Sequence, residues 1–86
     1  MENTLDGNAA AGLLQAIFPF DMTLVQVTCT GCGATNAIGA TAAYMNGMGM
    51  VIRCPSCDTV LIRMVHARGN YLLDMRGVRI LQMKEE

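Results

Sequence analysis

The chain has no tryptophan, two tyrosines, two phenylalanines and a single histidine, and none of its six basic residues precedes Arg53. With 5% aromatic but 52% hydrophobic residues, any core has to be aliphatic and rich in methionine, of which there are eight. The lone His66 has no neighbouring Ser, Asp or Lys that would complete a catalytic set, so it reads as a strand residue with ordinary hydrogen bonds rather than a proton shuttle or ligand. No apolar run approaches the roughly 18 residues that span a bilayer. The N-terminal "MENTLDGN" carries two acids and no base, the opposite of a signal peptide's positive start, and implies a cytoplasmic protein. The missing early bases also polarise the charge. Residues 53–84 carry a formal +4, residues 1–52 carry −3, and Glu85 and Glu86 bring the total to −1.

At 86 residues the chain has length for one domain, 1–86, whose small core would gain from an added constraint. That constraint is visible in the cysteines. All four fall in two equally spaced pairs, Cys29-Thr-Gly-Cys32 and Cys54-Pro-Ser-Cys57, with 21 residues between them. In a reducing compartment such pairs read as metal ligands before disulfides. Two cysteines separated by two residues form a tight turn with converging sulfurs, and a second turn returned by a hairpin completes a tetrahedron at about 2.3 Å from zinc. Metal knuckles are therefore expected at 29–33 and 54–58. Gly33 follows the first pair, where a positive φ turns backbone N–H groups toward the sulfurs. Asp58 takes the same place after the second pair and tolerates that conformation, while Pro55 fixes the entry to the turn.

Zn2+ is the first reading for the ion, iron the second and thiol redox or disulfide chemistry the third. Cys54-Pro55-Ser56-Cys57 echoes rubredoxins, which hold iron with two such knuckles, although they pack on an aromatic-rich core. Four thiolates close the coordination sphere and leave no position for water or substrate, so catalysis is not expected of the metal. Arg53, beside Cys54, is placed to offset the negative charge of the site.

Along the rest of the chain, Asp6 or Asn8 is placed to cap an Ala-rich helix over about 8–18 that Pro19 stops. Leu13, Leu14, Ile17 and Phe18 form its apolar stripe, which either covers the chain's own sheet or meets another copy or partner. After Pro19 the pattern predicts about six short strands in a meander. "MTLVQVTC" leads into the first cysteine pair, and "AIGATAAYM" runs to a turn at Asn46-Gly47. "GMVIRC" leads into the second pair, and hairpin strands fill 59–83 with turns at Arg68-Gly69-Asn70 and Arg76-Gly77. Alternation places Val60, Ile62, Met64 and His66 on one face and Leu61, Arg63 and Val65 on the other. The Met-rich "YMNGMGM" reads equally as an exposed contact surface or as core filling.

The order of strand, knuckle, hairpin and knuckle over Val27–Val65 resembles the zinc-ribbon group. The fold class is thus mainly β, a small zinc-ribbon-like antiparallel sheet with one short N-terminal helix. "LDGNAAAGLLQAIF", CxGCG, "RCPSCDTVL" and "MRGVRILQM" together resemble a family of small actinobacterial zinc-ribbon-like proteins of unknown function. That resemblance carries Cys29, Cys32, Cys54 and Cys57 over as ligands and implies no activity. The expected function is a non-enzymatic, structural-zinc-binding interaction module that binds a protein partner or itself and no membrane. One alternative is nucleic-acid binding through Arg63, Arg68, Arg76 and Arg79. The other is a rubredoxin-like iron electron carrier.

Overall fold

The computed structural model describes residues 4–19 and 21–84. Glu2 and the acidic Glu85 and Glu86 lie outside the described residues. The fold is mainly β, with two antiparallel sheets and one short helical segment. The strands are β1 Thr4–Asp6, β2 Gln26–Cys29, β3 Thr35–Ala37, β4 Ala42–Asn46, β5 Gly49–Arg53, β6 Val60–Ala67, β7 Asn70–Asp74 and β8 Val78–Gln82. One sheet has the order β1-β4-β5-β6-β7 and the other β3-β2-β8. The single meander expected from local pattern is therefore divided. β2 pairs with β3 and β4 to β7 pair in sequence, while β1 returns to β4 and β8 crosses to β2. No helix among the described residues is long and apolar enough to cross a membrane.

The helix is shorter and tighter than the 8–18 segment expected. A 3-10 turn over Gly7–Ala10 leads into α1, Ala11–Gln15. Asp6 caps the start, its carboxylate accepting from Asn8 N–H at 3.1 Å. Gly7 lies against the Ile38 carbonyl, where a Cβ would overlap it. Beyond Gln15 only turn bonds continue, with Ile17 and Phe18 N–H donating to the Leu14 carbonyl. Ala10 and Leu14 are buried in the chain's own core, and Leu13, Ile17 and Phe18 pack against it. The stripe thus covers the domain itself.

Two predicted strands are interrupted. Met22–Leu24 is a 3-10 turn, because Asp21 accepts from both Thr23 N–H and Thr23 Oγ1 at 3.1 and 2.6 Å and holds the backbone out of extension. Ile38–Ala40 is another, closed by Thr41 Oγ1 donating to the Ile38 carbonyl at 2.6 Å. It separates β3 from β4. In β6 the expected alternation fails at one point. Ile52 pairs with Ile62 but Arg53 pairs with Val60, so a bulge at Leu61 sends both Leu61 and Ile62 into the core and turns Val60 to the opposite, outer face. The methionines follow the aliphatic-core expectation: Met22, Met50 and Met64 are buried and Met45 packs against them. The Met-rich hairpin is therefore mostly core filling, with Met48 alone left 59% exposed at the turn.

Candidate metal centre

Cys29 ends β2 and Cys54 follows β5, and both belong to the hydrophobic cluster that joins the two sheets. From each, the chain makes the same turn. Cys29 N–H donates to the Ala34 carbonyl at 2.9 Å and Gly33 N–H returns to the Cys29 carbonyl at 3.0 Å. Cys54 N–H donates to the Thr59 carbonyl at 2.8 Å and Asp58 N–H returns to the Cys54 carbonyl at 2.9 Å. Gly33 has φ 77° and Asp58 has φ 68°, the conformation their positions predict. Gly31 N–H points at Cys29 Sγ (3.2 Å) and Ser56 N–H at Cys54 Sγ (3.4 Å). The two knuckles thus repeat one another bond for bond.

They face each other. All four Sγ atoms lie within 4.8 Å of one another, with Cys29–Cys57 and Cys32–Cys54 each 3.6 Å apart. A tetrahedron of sulfurs at about 2.3 Å from a central ion has edges of about 3.8 Å, so the four-sulfur set fits a metal ion of that kind. Cys29 and Cys54 are buried while Cys32 and Cys57 are exposed, which gives the cluster a core side and a surface side. Among the described residues no other group of metal-ligating side chains gathers in this way. His66 stands apart on β6, stacked on Tyr71 with ring centroids 4.1 Å apart.

The protons on these sulfurs are unevenly held. Burial pushes the Cys29 thiol up, but the N–H groups of Cys32 and Gly31, joined by Cys57 and Thr59, outweigh it and bring it down to about 6. Cys54 moves down too: burial raises it and is outweighed by Ser56 and Cys57 N–H and by the Cys32 and Cys57 thiols. For Cys32 the Ala34 N–H acts to lower the thiol, yet Cys57, burial, Cys54 and Cys29 together push it up to about 11. The downward shifts of both buried thiols favour thiolate sulfur on the core side of the cluster, the kind of donor that suits a soft or borderline cation.

Arg53 does more than balance charge. Its guanidinium donates to the Asp58 carbonyl at 3.0 Å, lies 3.7 Å from the Asp58 carboxylate, and sits 5.7 Å from the centre of the Tyr44 ring. It therefore ties β5 to the positive-φ corner of the second knuckle. Sequence reasoning passes over three further supports. A Cβ on Gly31 would overlap Thr59 Oγ1 and approach Cys57 Sγ to 3.4 Å, so the glycine lets the knuckles converge. Thr59 Oγ1 lies 3.0 Å from Cys57 Sγ. The Gly77 carbonyl accepts Thr30 N–H at 3.0 Å and hangs the first knuckle on the turn into β8. The signal for Gly31 was its place inside the first cysteine pair. Gly77 offers only turn punctuation.

No curated protein and no solved structure matches the chain. A family match extends over all of residues 1–86, in keeping with the resemblance to a family without an assigned activity. The chain belongs to the family described as "Family of unknown function (DUF6510)".

Proposed function

We propose that the chain is a non-catalytic domain built on one structural Zn2+ held by Cys29, Cys32, Cys54 and Cys57, and that it serves as a protein-interaction module. The observation that carries this reading is the convergence of two equivalent knuckles on one point, with all four sulfurs within 4.8 Å. Four thiolates leave the ion no open position, so its contribution is to stability. Structural zinc is worth about 10–16 kcal/mol in small peptides, comparable with the whole stability of a domain this size. Iron fits four thiolates as well, but rubredoxin-like packing calls for aromatics, and this core is built from Leu, Ile, Val and Met. The interaction role is supported by apolar side chains left exposed together at the hairpin end of the five-stranded sheet, Leu72 and Met48 at 67% and 59% exposure beside Val65.

Native mass spectrometry of the purified chain should find one zinc in a colourless protein, and Cys54→Ser should abolish its retention. Removing the metal with a chelator should collapse the β circular dichroism signal. A red protein would replace zinc by iron. An unchanged spectrum after metal removal would overturn the structural role.

A further inference from the structure

The outer face of the five-stranded sheet, opposite the helix and the second sheet, holds a groove of about 780 Å³. It runs from the β4–β5 turn at Met48 to Arg76 and Gly77. Strand register divides it into two halves. Toward the metal knuckle, Arg53 pairs with Val60, and Arg63 lies between Val51 and Asp74. Toward the hairpin tip, Val65 sits between Gly49 and Leu72, and Leu72 extends the apolar floor to the sheet edge at 67% exposure. Gly49 lets β5 and β6 approach closely beside it, since a Cβ there would overlap the Met64 carbonyl.

The groove's charge is one-sided. Arg53, Arg63 and Arg76 face it with a single carboxylate, Asp74. Asp74 is already taken up by Arg76, whose Nε lies 3.1 Å from both carboxylate oxygens and whose terminal nitrogen lies 2.7 Å from one. Arg53 is held by Asp58, donating to its carbonyl at 3.0 Å and lying 3.7 Å from its carboxylate. Arg63 is exposed and makes no salt bridge among the described residues. An arginine cluster at one end and an apolar strip at the other ask for a ligand with carboxylates followed by aliphatic side chains. None of the lining residues is aromatic, and the Tyr44 ring beside the groove is taken up by Arg53 at 5.7 Å, so the lining offers no free ring on which nucleic-acid bases would stack.

Building on the interaction-module reading, we propose that this groove is the docking surface, and that its occupant is an acidic segment of a partner protein with apolar residues beside its carboxylates. Arg63 supplies the free cation, while Arg53 links the groove to the second knuckle.

The test uses the full zinc-loaded chain and a short fluorescein-labelled peptide with glutamates followed by valines, a lysine-for-glutamate version of it, and single-stranded oligo(dT). The acidic peptide should bind at low salt and weaken as salt rises, and the basic peptide should not bind. Arg63→Glu should weaken binding about tenfold or more. Arg79→Glu, an equal charge change on β8 outside the groove, should leave binding unchanged, and Leu72→Ala should weaken it without altering its salt dependence. Absence of peptide binding by the folded, zinc-loaded chain overturns the groove and leaves the metal reading standing. Equal losses in Arg63→Glu and Arg79→Glu overturn it as a net-charge effect. Tighter binding of oligo(dT), lost in Arg63→Glu, reassigns the surface to nucleic acid. A chain that binds the peptide and stays folded without metal overturns the metal reading and leaves the groove intact.

Discussion

Gly31 and Asp58 show how much of the cluster rests on single backbone positions. At Gly31 the missing Cβ is the space that Thr59 Oγ1 occupies. Gly31→Ala should therefore push the knuckles apart and lower metal affinity about 10- to 100-fold, the range typical of disturbing a residue that supports ligands. Competition against a chromophoric chelator measures this, and Thr59→Ala in the same chain should restore part of the loss. Wild-type affinity in Gly31→Ala would show that the convergence does not depend on the glycine. Asp58 is different, because its requirement is conformational. At φ 68° a β-branched side chain is strained, so Asp58→Val should cost about 1–2 kcal/mol. Asp58→Gly should be nearly neutral, since Arg53 donates to the carbonyl of residue 58 and loses only an ion pair at 3.7 Å. Denaturant titration of the metal-loaded variants separates the two.

At the scale of elements, β5 and β6 carry the densest packing, with Met50 opposite Met64 and Ile52 opposite Ile62, all four buried. Truncating Met64→Ala opens a cavity between the sheet and the residues packed on it and should cost about 2–5 kcal/mol. The same change at exposed Met48 should cost almost nothing, and equal losses at the two positions would contradict the division of the Met-rich hairpin into core and surface. What the sequence made legible follows the reach of each interaction. The cysteine pairs, the positive-φ residues Gly33 and Asp58, the Asp6 cap and the hairpin turns near Gly47 and Gly69 are decided within a few residues. The cap at Asp21 is just as local, since an Asp two residues before Thr23 signals a turn, and it shortens the strand leading to Cys29. The pairing of β8 with β2, the return of β1 to β4 and the bulge at Leu61 depend on partners distant in sequence. Periodicity could not report them. The bulge bears most on the proposed docking surface, because it turns Val60 outward beside Arg53 at one end of the groove.

The whole molecule is organised around a cluster whose charge state depends on protons as well as metal. A thiol lowered in the fold from its ordinary 9.0 to about 6, as Cys29 is, contributes stability that is complete above pH 9 and is lost as pH falls through about 6. Cys54 is shifted in the same direction. Cys32, pushed up to about 11, works the other way: its contribution is present below pH 9 and disappears as pH rises through about 11. Metal binding removes the protons from all four sulfurs, so acid competes directly with the ion. The loaded protein should hold its metal and its β signal at neutral pH and lose both together in acid, at a midpoint below the free Cys29 value because the ion itself holds the sulfurs deprotonated. Asp74 does not set this transition, because the hydrogen bond from the Arg76 side chain keeps its carboxyl down at about 2. Asp74→Asn should accordingly leave the acid midpoint in place. A pH titration followed by circular dichroism, with a zinc-sensitive dye reporting release, tests both statements. Coincident transitions that Asp74→Asn does not move are expected. Metal retained into the range where Asp74 protonates would show that proton competition at the sulfurs does not govern the fold.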